Sequence, residues 1–77
     1  MKPSILITGA SGGIGQSLVA KLADHFQIYA TGRKGDRLRS FPETVRTLSG
    51  DLSSETFRAQ LSEWAHGVTA IIHNAGY

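Results

Sequence analysis

The sequence predicts an α/β fold in which a parallel sheet of strand order 3-2-1-4 is flanked by helices. Three observations carry that expectation. Apolar runs of strand length alternate with stretches of helical periodicity along the whole chain. The first such run, Ser4 to Thr8, is almost continuously apolar, as a strand buried on both faces of a parallel sheet must be. A glycine cluster, Gly9 to Gly15, then separates that strand from the first helix. Right-handed crossovers place the first three strands in order 3-2-1 and return the fourth to the side of the first, which opens a ligand crevice between strands 1 and 4.

Each element follows from its residues. After the glycines, Ile14, Leu18, Val19, Leu22 and Phe26 recur at helical spacing and predict a helix of about a dozen residues with one buried stripe. Gln27 to Thr31 reads as the second strand. Asp36 to Phe41 has room for only a helical turn, closed by Pro42, and a third strand is expected around Val45 to Leu48. Ser53 is a candidate N-cap with Glu55 in the first turn, and Phe57, Leu61 and Trp64 mark the buried face of the next helix. Gly67 ends it, and Val68 to Ile72 forms the fourth strand. The first two helices belong on one face of the sheet and the third on the other, which leaves strand 4, with Ile71 and Ile72, as an edge that needs pairing. A homo-oligomer, or pairing through that edge, is the expectation.

Composition narrows the function classes. The 77 residues contain no Cys, so disulfides, thiolate metal sites and a cysteine nucleophile are excluded, and a cytoplasmic location is expected. The formal charge is only +2, and Arg33, Lys34, Arg37 and Arg39 against Asp36 account for the excess. Such clustering argues for a local anion site and against a nucleic-acid track. No apolar stretch is long enough for a membrane span. His25, His66 and His73 are scattered and read as surface or helix-end residues, so no metal site is expected.

The most informative segment is Thr8-Gly9-Ala10-Ser11-Gly12-Gly13-Ile14-Gly15, lying between a strand and an amphipathic helix. Glycines there allow a tight turn, close approach of a pyrophosphate to the backbone and close helix-to-strand packing, while helix N-terminal N–H groups face the anion. That context points to dinucleotide binding on a Rossmann-type sheet; the alternative is a glycine-rich turn with no ligand. Cofactor choice is argued from charge. NAD-binding members of this fold place a carboxylate at the end of strand 2, whereas this chain reads Thr31-Gly32-Arg33-Lys34. A guanidinium at that place favours the 2′-phosphate of NADP over NAD, with Arg33 leading and Lys34 assisting. Solvated loop cations are the alternative.

Thr8 to Gly15 together with Asn74-Ala75-Gly76 resembles the N-terminal part of the short-chain dehydrogenase/reductase family, over essentially the whole chain. The resemblance implies that residues 1–77 form the N-terminal half of a dinucleotide-binding domain. It implies that Thr8, Gly9, Gly13 and Gly15, with Ser11, Gly12 and Ile14 between them, hold the cofactor pyrophosphate. By the same likeness, Asp51 and Leu52 lie near the adenine ring, and Asn74, Ala75 and Gly76 shape the nicotinamide side. Asp51 also reads as a simple polar cap of the following helix. The glycines fit Gly-x-x-Gly-x-x-Gly as well, at Gly9, Gly12 and Gly15, and with His73 this is similar to the extended, epimerase-like branch. Ile14 and Ala75-Gly76 are more like the simple branch, which is favoured.

The resemblance implies an oxidoreductase that acts on a small carbonyl or alcohol substrate. The family's catalytic Ser and Tyr-x-x-x-Lys follow the Asn-Ala-Gly motif, and this chain contains neither; Tyr29 is followed at i+4 by Arg33. No catalytic residue is therefore assigned, and the chain alone is expected to be inactive. A non-catalytic dinucleotide-binding module is the alternative function.

Overall fold

A computed structural model describes residues 2–74. Along the chain run β1 (Ser4–Thr8), α1 (Gly13–Leu22), β2 (Gln27–Gly32), α2 (Gly35–Leu38), β3 (Arg46–Ser49), α3 (Glu55–Trp64) and β4 (Ala70–His73). The four strands form one parallel sheet in the order β3-β2-β1-β4, as expected. Among the described residues, no helix is long and apolar enough to cross a membrane.

Strand alternation divides the core in two. Ile5 and Ile7 pair in register with Ile28 and Ala30, and all four pack with Val19 of α1 and Leu38 of α2 on one face. Leu6 points to the other face, where Phe57, Leu61 and Ala65 cover it and Tyr29, Leu48 and Trp64 extend the cluster. Trp64 thus joins the core as its spacing predicts, meeting Tyr29 edge-on at a ring-centroid distance of 5.1 Å. Because β1 is central and covered on both sides, nearly every side chain in it must be apolar. This explains the unbroken run in the sequence.

Several boundaries differ from the expectation, each for a local reason. Helix α1 ends at Leu22, and Phe26, counted in its stripe, lies beyond it against the same core. Ile14 is not in the buried stripe at all; it is 72% exposed, in the first turn of α1. Helix α2 begins at Gly35 and stops at Leu38, one buried side chain being enough to dock it. Strand β3 is shifted by one residue, since Val45 N–H bonds Pro42 O in a turn before the ladder begins. Strand β4 starts at Ala70, not Val68: Val68 N–H bonds Ala65 O as part of the turn that closes α3. The N-cap of α3 is Ser54, whose Oγ accepts from Phe57 N–H at 3.3 Å; Ser53 sits one residue too early and instead donates its N–H to Asp51 Oδ1. Ile71 is 63% exposed on the edge strand, as anticipated for an uncovered edge.

Candidate functional site

The C-terminal ends of the strands and the loops that leave them enclose a cleft of about 490 Å³. This is the edge of a parallel α/β sheet where ligands bind. A second cleft, about 430 Å³, lies at the opposite end of the strands around Lys2, Phe26 and Thr44. The two differ in chemistry: the C-terminal cleft carries the glycine loop, the open end of α1 and the cations of the β2–α2 segment.

The loop geometry assigns each glycine a task. Gly9 has φ 66°, a left-handed conformation that lets the chain leave β1 and double back at once. Gly15 is buried in α1 directly over that turn, where a Cβ would collide with the Gly9 carbonyl oxygen and Ala10 Cα. A Cβ on Gly13, in contrast, would meet nothing, so its missing side chain leaves free space above the helix N-terminus. Gly12 is the N-cap of α1 and offers no side-chain cap, so the first-turn N–H groups remain available to an anion. The donor set and the open space at Gly13 fit a dinucleotide pyrophosphate.

The loop is braced from below and from both sides. Ala10 N–H bonds Thr31 O at 2.9 Å, tying it to β2. The Ser11 carbonyl accepts from Gln16 Nε2 at 2.9 Å and from Arg37 Nη1 at 3.4 Å. On the β4 side, Asn74 N–H donates to Thr8 Oγ1 at 3.0 Å and Asn74 Nδ2 reaches the Gly9 carbonyl at 3.4 Å. The buried Thr8 hydroxyl also lies 3.1 Å from His73 Nδ1. His73, read from sequence as a surface residue, is exposed but forms part of this clasp; His25 and His66 are exposed near helix ends. Thr8 and Gly15 therefore support the cleft without lining it, whereas Gly9, Ser11, Gly12, Gly13 and Ile14 line it.

Cations line the opposite wall. Arg33 and Lys34 follow β2 into the cleft, and Arg37 joins them from α2. Arg33 Nε stands 4.0 Å from Asp51 Oδ1, so the carboxylate that follows β3 faces the guanidinium that follows β2. The Ser53 backbone N–H, 2.9 Å from Asp51 Oδ1, holds the Asp51 carboxyl below its ordinary range, helped by the Ser53 hydroxyl and then by Arg33. Asp51 accepts the Ser53 N–H in the turn before α3, whose N-cap is Ser54, and Leu52 lines the cleft itself. Asn74 lines it from the β4 end; Ala75 and Gly76 lie outside the described residues.

Sequence reasoning did not name Thr31, Gly32 or Gly50 as site residues and placed Arg37 only in the general cationic cluster, though all four line the cleft. A Cβ on Gly32 would crowd the Ser11 side chain, and one on Gly50 would overlap the Phe57 ring. Gly32 is the last residue of β2 and Gly50 directly follows β3, so both lie at the C-terminal edge of the sheet, a position that could have flagged them.

No family model matches the chain, and no curated protein matches it. Solved structures do. YwfH, an NADPH dependent reductase involved in bacilysin biosynthesis, is 30% identical, with a TM-score of 0.81 over 99% of this chain and 35% of its own. A short chain dehydrogenase from Shigella flexneri is 28% identical, with a TM-score of 0.79 over 97% of this chain and 35% of its own. Over nearly all of its length this chain is similar to short-chain dehydrogenase/reductases. A short-chain type dehydrogenase/reductase from Mycobacterium ulcerans, 23% identical, shares the fold with a TM-score of 0.79 over 97% of this chain and 33% of that one. The 77 residues thus span about a third of each of these short-chain dehydrogenase/reductases. Their alignment runs through every element of the sheet that builds the cleft.

Proposed function

We propose that this chain forms the dinucleotide-binding part of an NADP(H)-dependent short-chain oxidoreductase acting on a carbonyl or alcohol substrate. The observation that carries the reading is the pairing, across one cleft, of an uncapped helix N-terminus under Gly13 with Arg33 and Lys34 at the end of β2. In the proposed arrangement the pyrophosphate lies on the loop from Gly9 to Gly15, and the first-turn N–H groups of α1 bond it. Arg33 makes a bidentate contact to the 2′-phosphate and Lys34 adds a point charge. Leu52 contacts the adenine, with Asp51 orienting Arg33. Asn74 sits on the nicotinamide side, and its bonds to Thr8 and Gly9 keep the loop and β4 in fixed register.

The nicotinamide supplies hydride chemistry when bound. In this reading the described cleft residues bind and orient it, and none of them is assigned a proton exchange with a carbonyl. Its described tyrosine, Tyr29, is packed against Trp64 on the α3 face of the sheet, beneath the Arg46 guanidinium at 5.9 Å. The 77 residues alone are therefore expected to be inactive. The NADPH dependence of YwfH supports the cofactor assignment by similarity.

Calorimetric titration of NADP and NAD into the protein tests the reading. NADP should bind more tightly than NAD, and Arg33→Ala should erase most of that difference, a loss of roughly tenfold for a charge-assisted contact. Equal binding of the two dinucleotides by the unsubstituted protein would remove the NADP assignment. Hydride transfer to a carbonyl by the chain alone would refute the assigned division of labour.

A further inference from the structure

We infer that Arg37 is a second determinant of cofactor choice, supplying from α2 a cation for the 2′-phosphate that the glycine loop does not itself carry. This rests on the NADP reading above. Between Thr8 and Gly15 the loop has no charged side chain. Arg37 lies one helical turn beyond Arg33, and its Nη1 reaches across the gap to the Ser11 carbonyl at 3.4 Å. The guanidinium therefore spans α2 and the loop, and it lines the same cleft as Arg33, Lys34 and Gly12.

Charge distribution separates Arg37 from Arg33. Arg33 faces the Asp51 carboxylate at 4.0 Å. Arg37 bonds a neutral carbonyl, and among the described residues no carboxylate lies within 4.0 Å of it, so its charge is not offset by an ion pair. A guanidinium carries five N–H donors, and the single bond to Ser11 leaves the others for a ligand. Gly12 lines the same cleft, and a Cβ added there would meet within 4 Å only the Gly9 carbonyl oxygen, at 3.6 Å. A phosphate seated between Arg33 and Arg37 would be clamped from the end of β2 and from α2 together.

The competing role for Arg37 is a tether that merely steadies the loop. A tether would serve both dinucleotides alike, whereas a phosphate ligand serves only NADP. Calorimetry on the intact protein, the Arg37→Gln variant and the Arg37→Lys variant distinguishes them. The expected result is NADP weakened about tenfold by Arg37→Gln with NAD changed less than about twofold, and most of the NADP affinity kept by Arg37→Lys. Adding Gly12→Lys to Arg37→Gln should restore preference for NADP, because the new ammonium enters the same space from the loop side. Parallel weakening of both dinucleotides, or unchanged NADP binding, overturns the assignment of Arg37 while leaving the reading of the cleft intact. If the unsubstituted protein binds neither dinucleotide, that reading and this inference fall together.

Discussion

Gly13 and Gly15 are two residues apart and should fail in opposite ways when substituted. Gly15→Ala drives a Cβ into the Gly9 carbonyl and Ala10 backbone, so it should lower stability by about 1–3 kcal/mol, as overpacking does. Gly13→Ala meets open space and should leave the unfolding midpoint nearly unchanged while weakening dinucleotide binding by roughly tenfold. Urea unfolding and nucleotide titration on both variants check the contrast. Asp51 gives a pH signature. Its pKa is lowered in the folded chain by the Ser53 N–H, so the stabilisation it contributes is present above the unfolded value of roughly 3.9 and is lost as pH falls through the folded value. The stability difference between the unsubstituted protein and Asp51→Asn should accordingly shrink on acidification below about pH 4. A difference that stays constant from neutral pH downward would remove Asp51 from that role.

At the scale of the element, α3 shows what a sequence can disclose and where it stops. Its buried face was legible, since Phe57, Leu61 and Trp64 at helical spacing admit one apolar stripe. Its start was not, because Ser53 and Ser54 are both competent caps and only the backbone geometry chooses. The choice is testable: Ser54→Ala should destabilise by about 1 kcal/mol through loss of the bond to Phe57 N–H, and Ser53→Ala by less. The glycine loop was legible for a similar reason, as few folds need glycines at that spacing after a buried strand. Arg37 was not. Its charge was visible, but only a helical turn at Gly35–Leu38 brings it back over Ser11, and a four-residue helix leaves little periodicity to read. The Thr8–His73 contact was hidden more deeply, since it links strand ends 65 residues apart and depends on register between β1 and β4.

For the whole molecule, the sheet is evenly filled in its middle and open at β4. Ile72 packs toward the α1 face, but Ile71 points its side chain outward from the α3 face and remains 63% exposed. Ile71→Lys should therefore change thermal stability little and reduce concentration-dependent association, measurable by sedimentation. The strand order has a further consequence in time. β1 meets β2 across a short stretch of chain, and β2 meets β3 across another, but β1 meets β4 only after a loop of 65 residues has closed. Long closures are slow relative to local pairing. The Asn74 brace on Gly9 belongs to that late closure, so the glycine loop can be assembled on β1, β2 and α1 before its last support arrives. In refolding experiments, nucleotide-binding competence should lag behind the recovery of the β1–β2 ladder, and amides of β4 should exchange with solvent sooner than those of β1. The strand that brings Asn74 to the glycine loop is also the one whose pairing with β1 spans the longest stretch of chain among the described strands.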